Sequence, residues 1–145
     1  MTVDVDRSLI TYIWNLLTTD GLLKALMGGT VRCYPVDAVE DAEFPYLVHR
    51  LDIRQHPGTH GVQNATHYLD IWSDSPNANE ITNIRERLIQ LLDELVFNTD
   101  DVSQAHIAFQ TSGFIPESEQ SIFHYAMQFD WIFRRDSEAT AIEGR

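Results

Sequence analysis

Residues 121–133, SIFHYAMQFDWIF, alternate with near strictness. In an extended chain Phe123, Tyr125, Met127, Phe129, Trp131 and Phe133 fall on one side, and Ile122, His124, Ala126, Gln128, Asp130 and Ile132 on the other. A strand with one almost wholly aromatic face cannot stand alone. Each ring carries on the order of 150–250 Å² that gains by leaving water, so a second layer must cover that face. At about 3.3 Å per residue the stretch would run to roughly 40 Å, about twice a usual strand. One end is therefore expected to project beyond the sheet, where a neighbour could take it.

The covering layer is legible upstream. A first helix is expected after Asp6, whose carboxylate can cap free N–H groups, with Leu9, Ile10, Ile13, Trp14 and Leu17 forming an apolar stripe. Thr18-Thr19-Asp20 interrupts it. Asp20 can cap a short second piece, residues 21–27, with Leu22, Leu23 and Leu26 inward and Gly28-Gly29 as its stop. A third helix is expected from Ser75-Pro76, or from a capping box of Asn77 with Glu80. Ile81, Ile84, Leu88, Leu91, Leu92 and Leu95 keep its period, while Asn83, Glu86, Arg87, Gln90 and Glu94 fall mostly on the other side.

Strand patterns fill the intervals. Val31 to Tyr34 is short, and Pro35, which lacks a donor, places it at an edge or ends it. From Pro45 to Ile53, Leu47, Leu51 and Ile53 oppose Arg50 and Asp52, as in a half-buried strand. Residues 55–61 are turn-rich and 66–72 resume an extended pattern, together a hairpin with a protruding tip. Residues 105–111 make a further strand, followed by a turn around Pro116. The order of patterns describes one small α+β unit over residues 1–135. Residues 136–145 lack periodicity and are expected to be a mobile tail, whose last four, Ile142 to Arg145, look like a processing-protease site of the kind appended to expressed proteins.

Charge narrows the partners. Ten basic against 22 acidic residues give a formal charge of −12, which opposes tight binding to phosphate backbones. Four carboxylates, Asp37, Glu40, Asp41 and Glu43, crowd one loop, which reads as solvated, or as facing an interface or channel. No apolar run approaches the roughly 20 residues that cross a bilayer, and the acidic start is unlike a secretory signal, so synthesis in the cytoplasm is expected. Cys33 is the only cysteine, excludes an internal disulfide, and reads as a small buried thiol.

Catalytic constellations do not assemble. His56, His60 and His67 are the one cluster that invites zinc, but the first two sit on a turn with no helix, thiolate or second set of partners to fix them, so exposed turn histidines are expected. His49, His106 and His124 lie in strand patterns as hydrogen-bonded sheet residues. Glu117 and Glu119 flank a turn and read as solvated, and neither a nucleophile elbow nor a phosphate loop is present. The expectation is no metal, no cofactor and no enzyme, with a metal-dependent hydrolase using the three histidines as the remote alternative.

Several segments resemble one family in order and spacing: residues 16–26 (LLTTDGLLKAL), 28–35 (GGTVRCYP), 44–48 (FPYLV), 69–73 (LDIWS) leading into a helix, and the aromatic last strand. Together they are similar to the tail-completion or tail-terminator proteins of long non-contractile-tailed phages, over residues 8–134. The acidic stretch before Phe44 and the histidine-containing tip lie outside the resemblance. It implies a four- or five-stranded, mainly antiparallel sheet with helices on one face, and subunits that form a hexameric ring. That ring would cap the tail tube, end its growth and join it to the head connector. The implied partners are further copies of the chain, the tail tube protein and a head-completion or stopper protein, with DNA passing through unbound, at the head-proximal end of the virion tail. A connector-side stopper is the structural alternative. On this reading Asp37, Glu40, Asp41 and Glu43 meet a basic partner surface or the lumen, while Arg50, Arg54, Arg134 and Arg135 contact neighbours, and His56 and His60 sit at the same kind of interface.

Overall fold

The computed structural model describes residues 5–35, 38, 41–55, 62–100, 102–117 and 121–135. Helices α1 (Val5–Thr19) and α2 (Gly21–Leu26) are followed by β1 (Cys33–Pro35), β2 (Tyr46–Gln55), β3 (Val62–Ser73), α3 (Asn79–Leu92), β4 (Val96–Phe97), β5 (Val102–Ile115) and β6 (Phe123–Arg135). The strands form one six-stranded sheet in the order β1-β2-β3-β6-β5-β4. This corrects the expected four or five strands. The addition is the two-residue β4, which pairs antiparallel with the start of β5 and is too short to carry a periodic signal of its own. The short strand expected at Val31 to Tyr34 is β1, which lies at the other edge and pairs parallel with β2. The α+β class holds, and the other pairings are antiparallel.

β6 does not project. Residues 123–134 are matched by β3, from Ser73 back to Val62, and residues 124–135 run alongside β5 from Ile115 back to Val102. The long aromatic strand is central, and its length is shared by both neighbours. β5 accommodates this with register shifts between Ser103 and His106 and between Phe109 and Thr111. The first surrounds Gln104, whose φ of 55° is left-handed and whose N–H is satisfied by Asn98 Oδ1 at 2.8 Å. The strand therefore runs well past the expected 105–111.

All three helices cover the aromatic face. Leu9, Ile13 and Leu17 of α1, Leu23 of α2, and Ile81, Ile84, Leu88 and Leu92 of α3 are fully buried with Leu69, Ile71, Met127, Phe129, Trp131 and Phe133. Tyr12 stacks on Phe97 at 4.1 Å, and Phe97 meets Trp131 edge-on. Two expected core residues are instead on the outside: Trp14 is 45% and Leu22 60% exposed, because the buried arc of each helix is narrower than its apolar arc. α1 already includes Asp6, so it begins before the expected cap.

Polar side chains fix the helix ends. Asp20 caps α2, accepting from the Leu23 N–H at 2.8 Å, and also receives both guanidinium branches of Arg87 at 2.9 and 2.7 Å, which ties α2 to α3. Gly28 and Gly29, at φ 83° and 108°, take the left-handed turn that ends α2, and the Gly29 N–H returns to Lys24 O at 2.7 Å. α3 starts at Asn79 rather than at Ser75-Pro76. The preceding bend is held by Ser73, whose hydroxyl donates to Glu80 Oε1 at 2.6 Å and accepts from the Ser75 N–H, and by Asn77 Oδ1 accepting from the Asn79 N–H.

Candidate interaction surface

The face of the sheet turned away from the helices is laid out in rows by the register. Across β2, β3, β6 and β5 the rows run Tyr46, Trp72, His124, Ile115; then Val48, Asp70, Ala126, Gly113; then Arg50, Tyr68, Gln128, Thr111; then Asp52, Thr66, Asp130, Ala108; and finally Arg54, Asn64, Ile132, His106. This face mixes signs. Arg50 sits 4.3 Å over the Tyr68 ring and 3.5 Å from Asp52, and Arg54 donates to the Thr66 hydroxyl at 3.1 Å. The small Gly113 and Ala126 leave a hollow of about 280 Å³. Such half-exposed pairs contribute only a few tenths of a kcal/mol each, so the face is not what holds the fold.

At one end of the sheet the chemistry changes. Phe114 (52% exposed), Ile115 and Pro116 of the β5 end, Ile122 and Phe123 at the β6 start, and Ala78 before α3 line a cavity of about 410 Å³. His124 forms its polar wall. Its Nε2 lies 2.7 Å from Asp70 Oδ2, its Nδ1 3.1 Å from Glu117 Oε2, and its ring stacks on Trp72 at 3.7 Å. Both ring nitrogens can donate only in the imidazolium form. Burial works against that charge, but the bonds to Asp70 and Glu117 outweigh it and raise the His124 pKa above its ordinary value. Glu117, expected to be a solvated turn residue, is thus a partner of His124; Glu119 lies outside the described residues.

The expected site residues separate into groups. Arg50 and Arg54 are exposed on β2, and Arg134 is exposed on β6 beside Val62, near the Arg54 end of the sheet. Asp41 and Glu43 are exposed at the opposite end, just before β2 begins. Some eight residues of β2 separate the two groups, on the order of 26 Å. The Arg135 side chain, Asp37, Glu40, His56 and His60 lie outside the described residues.

His67 overturns the expectation of an exposed turn histidine. It is fully buried on β3 under the helices, with Nε2 3.4 Å from His49 Nδ1, edge-on to Trp131 at 5.2 Å. A ring so placed cannot join a surface metal site with a loop tip. The pair also corrects the reading of His49 as satisfied, since among the described residues His49 Nε2 and His67 Nδ1 have no hydrogen-bond partner. Burial lowers the His49 pKa to about 4, and burial together with repulsion from His49 lowers that of His67 to about 3. Both are neutral, and only one of them can donate across the shared contact. Among the described residues no group of three or more potential ligands is placed to hold a metal ion. His106 meets Glu94 at 3.2 Å, and Cys33 is buried with its pKa pushed up to about 12 by desolvation.

Sequence reasoning missed Arg32. Its guanidinium donates to Met27 O at 3.0 Å, to Phe44 O at 3.2 Å, and to the Glu43 and Pro45 carbonyls at 3.0 and 3.2 Å. One side chain thereby fastens the end of α2 to the end of the acidic loop. The only available signal was a lone arginine in a short strand next to many carboxylates, which suggests an ion pair and not a clamp on carbonyls.

Three comparisons bear on this arrangement. The family described as Tail completion protein gp17 matches residues 11–134. No curated protein matches the chain. Among solved structures, one from the virion of a native gene transfer agent particle superposes with a TM-score of 0.75 at 15% identity, covering 92% of this chain and 99% of that one. A second superposes with a TM-score of 0.64 at 11% identity, covering 94% of this chain and 100% of the other. At such identities both likenesses speak for the fold.

Proposed function

The chain belongs to the tail completion protein gp17 family, whose role is structural, in the phage tail, and from that premise we propose that it caps the finished tail tube as a hexameric ring. The ring ends tube polymerisation and presents a different surface to the head connector. The observation that carries this reading is the division of the sheet into unlike ends. Asp41, Glu43 and the apolar cavity lie at one end, Arg54 and Arg134 at the other. A tube grows because each added ring re-exposes the surface it bound; a molecule whose two ends differ in charge and shape binds once and then offers nothing to the next tube subunit.

In this reading the partners are further copies of the chain, the tube protein and a head-completion or stopper protein. The acidic loop meets a basic partner surface or lines the lumen, where a net charge of −12 per subunit lets DNA pass without adhering. The place of work is the head-proximal end of the tail, after synthesis in the host cytoplasm. No bond is made or broken.

The test is addition of purified protein to polymerising tube protein, with D41K/E43K and R54E/R134E variants alongside. Wild type should arrest elongation, and each charge-reversed variant should fail with a different partner, tube or connector. If both variants arrest growth and bind the connector as wild type does, the assignment of the two ends is wrong.

A further inference from the structure

Beside the short edge strands β1 and β4, the long strands β2 and β5 are each covered over only part of their length. β1 pairs with β2 at Leu47, Val48 and His49, and no described strand continues alongside residues 50–55. On the opposite edge β4 pairs with β5 at Ala105 and His106, and the turn after α3 covers a little more. There the Glu94 N–H donates to Ile107 O, the Ile107 N–H to Leu95 O, and the Phe109 N–H to Asp93 Oδ1. Beyond Phe109 no described segment covers residues 110–115. The two bare edges are equal in length and lie on opposite sides of the sheet.

We propose that these edges pair with each other between copies, residues 50–55 of one subunit adding antiparallel to residues 110–115 of the next, so that a single sheet runs from subunit to subunit. The bonding directions match. The Leu47 N–H donates outward to Arg32 O, so alternate residues Leu51 and Ile53 also turn their N–H and C=O outward. On β5 the register shift after Phe109 leaves Thr111, Gly113 and Ile115 facing β6, which turns Ser112 and Phe114 outward. Setting Leu51 opposite Phe114 and Ile53 opposite Ser112 makes every outward group meet an outward group.

The side chains agree with this register. Phe114, 52% exposed, lies on the helix side and comes against half-buried Leu51. On the other side Arg54 faces Thr111, Asp52 faces Gly113 and Arg50 faces Ile115, with no like charges opposed. Residues 108–115, AFQTSGFI, hold no charge and no proline. Such an edge is one that proteins ordinarily protect, and here no described segment covers residues 110–115. The pairing offsets each copy by about four residues, roughly 13 Å. Around a closed ring a repeated offset becomes a tilt of the strands.

The inference rests on the ring reading above, and its test separates the two. A chain carrying Asp52→Cys and Gly113→Cys, positions outside the charge-reversed variants and with open space for a side chain at 113, is bound to tail tubes and oxidised. Within one subunit these positions lie at least three strand spacings apart, on the order of 14 Å or more, too far for a disulfide. Between copies they form a directly opposed pair. The expected product is a head-to-tail covalent ladder, absent for D52C/T111C, which the register sets two residues apart along the strands. In the unaltered protein, exchange of the Leu51, Ile53, Ser112 and Phe114 amides should slow by about tenfold or more on assembly. Capped tubes without a ladder, or with unchanged exchange, overturn the edge pairing and leave the capping role standing. A ladder from both cysteine pairs overturns the register. Tubes left uncapped by wild type overturn the ring reading and the pairing with it.

Discussion

The two faces of the sheet obey different rules. Under the helices, Phe129, Trp131, Phe133, Leu69 and Ile71 are buried to within 1%, and the burial of apolar area decides which residues are allowed. On the open face, Arg50 and Asp52 form a half-exposed ion pair and Asp130 and Ile132 are exposed beside half-buried Gln128; they contribute little to stability and are available to a partner. The contrast teaches where to look for function in a chain of a structural tail family: on the face whose sequence folding does not explain.

The contrast is sharpest at neighbouring residues of β6. Trp131→Ala should cost about 3–5 kcal/mol through lost burial and the cavity left behind, whereas Ile132→Ala, on the open face and 47% exposed, should cost under about 1 kcal/mol. Urea unfolding of the two variants checks this, and equal losses would erase the distinction between the faces.

Histidines report the same division through pH. His49 and His67 are held neutral in the folded core, while the unfolded chain takes up protons from about pH 6.5 downward. Stability is therefore full above that pH, falls as pH drops toward about 4, and loses on the order of 3 kcal/mol for His49 over that window. A His67→Phe variant should show a shallower fall in acid unfolding; an identical slope would mean that the pair is not the acid-sensitive element.

Asp20→Ala removes both the α2 cap and the partly buried partner of Arg87, with an expected loss of about 1–2 kcal/mol. Thermal denaturation measures it. Arg87→Ala combined with it should add less than its separate effect, since the two share one interaction.

The smallest effect belongs to the open side. His124 has a raised folded pKa, so its contribution is fully present below its ordinary value and is lost as pH rises through the raised one. The loss runs in the direction opposite to that of His49. An NMR titration of the His124 ring should move to lower pH in Asp70→Asn, and an unmoved midpoint would detach the ring from that carboxylate.

The covered face was largely legible in the sequence, because periodicity reports burial directly. The alternation of residues 123–133 identified the core of β6, and the stripes of α1 and α3 identified what covers it. Trp14 and Leu22 were misplaced because a periodic pattern cannot say how wide an arc the sheet will cover. β4 was too short to leave a pattern, whereas β1 was legible as a short edge strand ending at Pro35. The projecting end of β6 was inferred from length alone, and length does not reveal that β3 and β5 are equally long. His67 shows the limit for sites. Its spacing from His56 and His60 suggested a ligand, whereas strand parity places it on the inner face beside Leu69 and Ala65. The relation of Asp70, Glu117 and His124, and the reach of Arg32, depend on contacts between distant segments that no local pattern encodes.

The central claim is that this chain ends tail growth by docking and not by chemistry. Electron microscopy of tail lengths in particles made without the protein tests it most directly. The account predicts tails that extend well past the normal length and carry no heads; tails of normal, uniform length would contradict it.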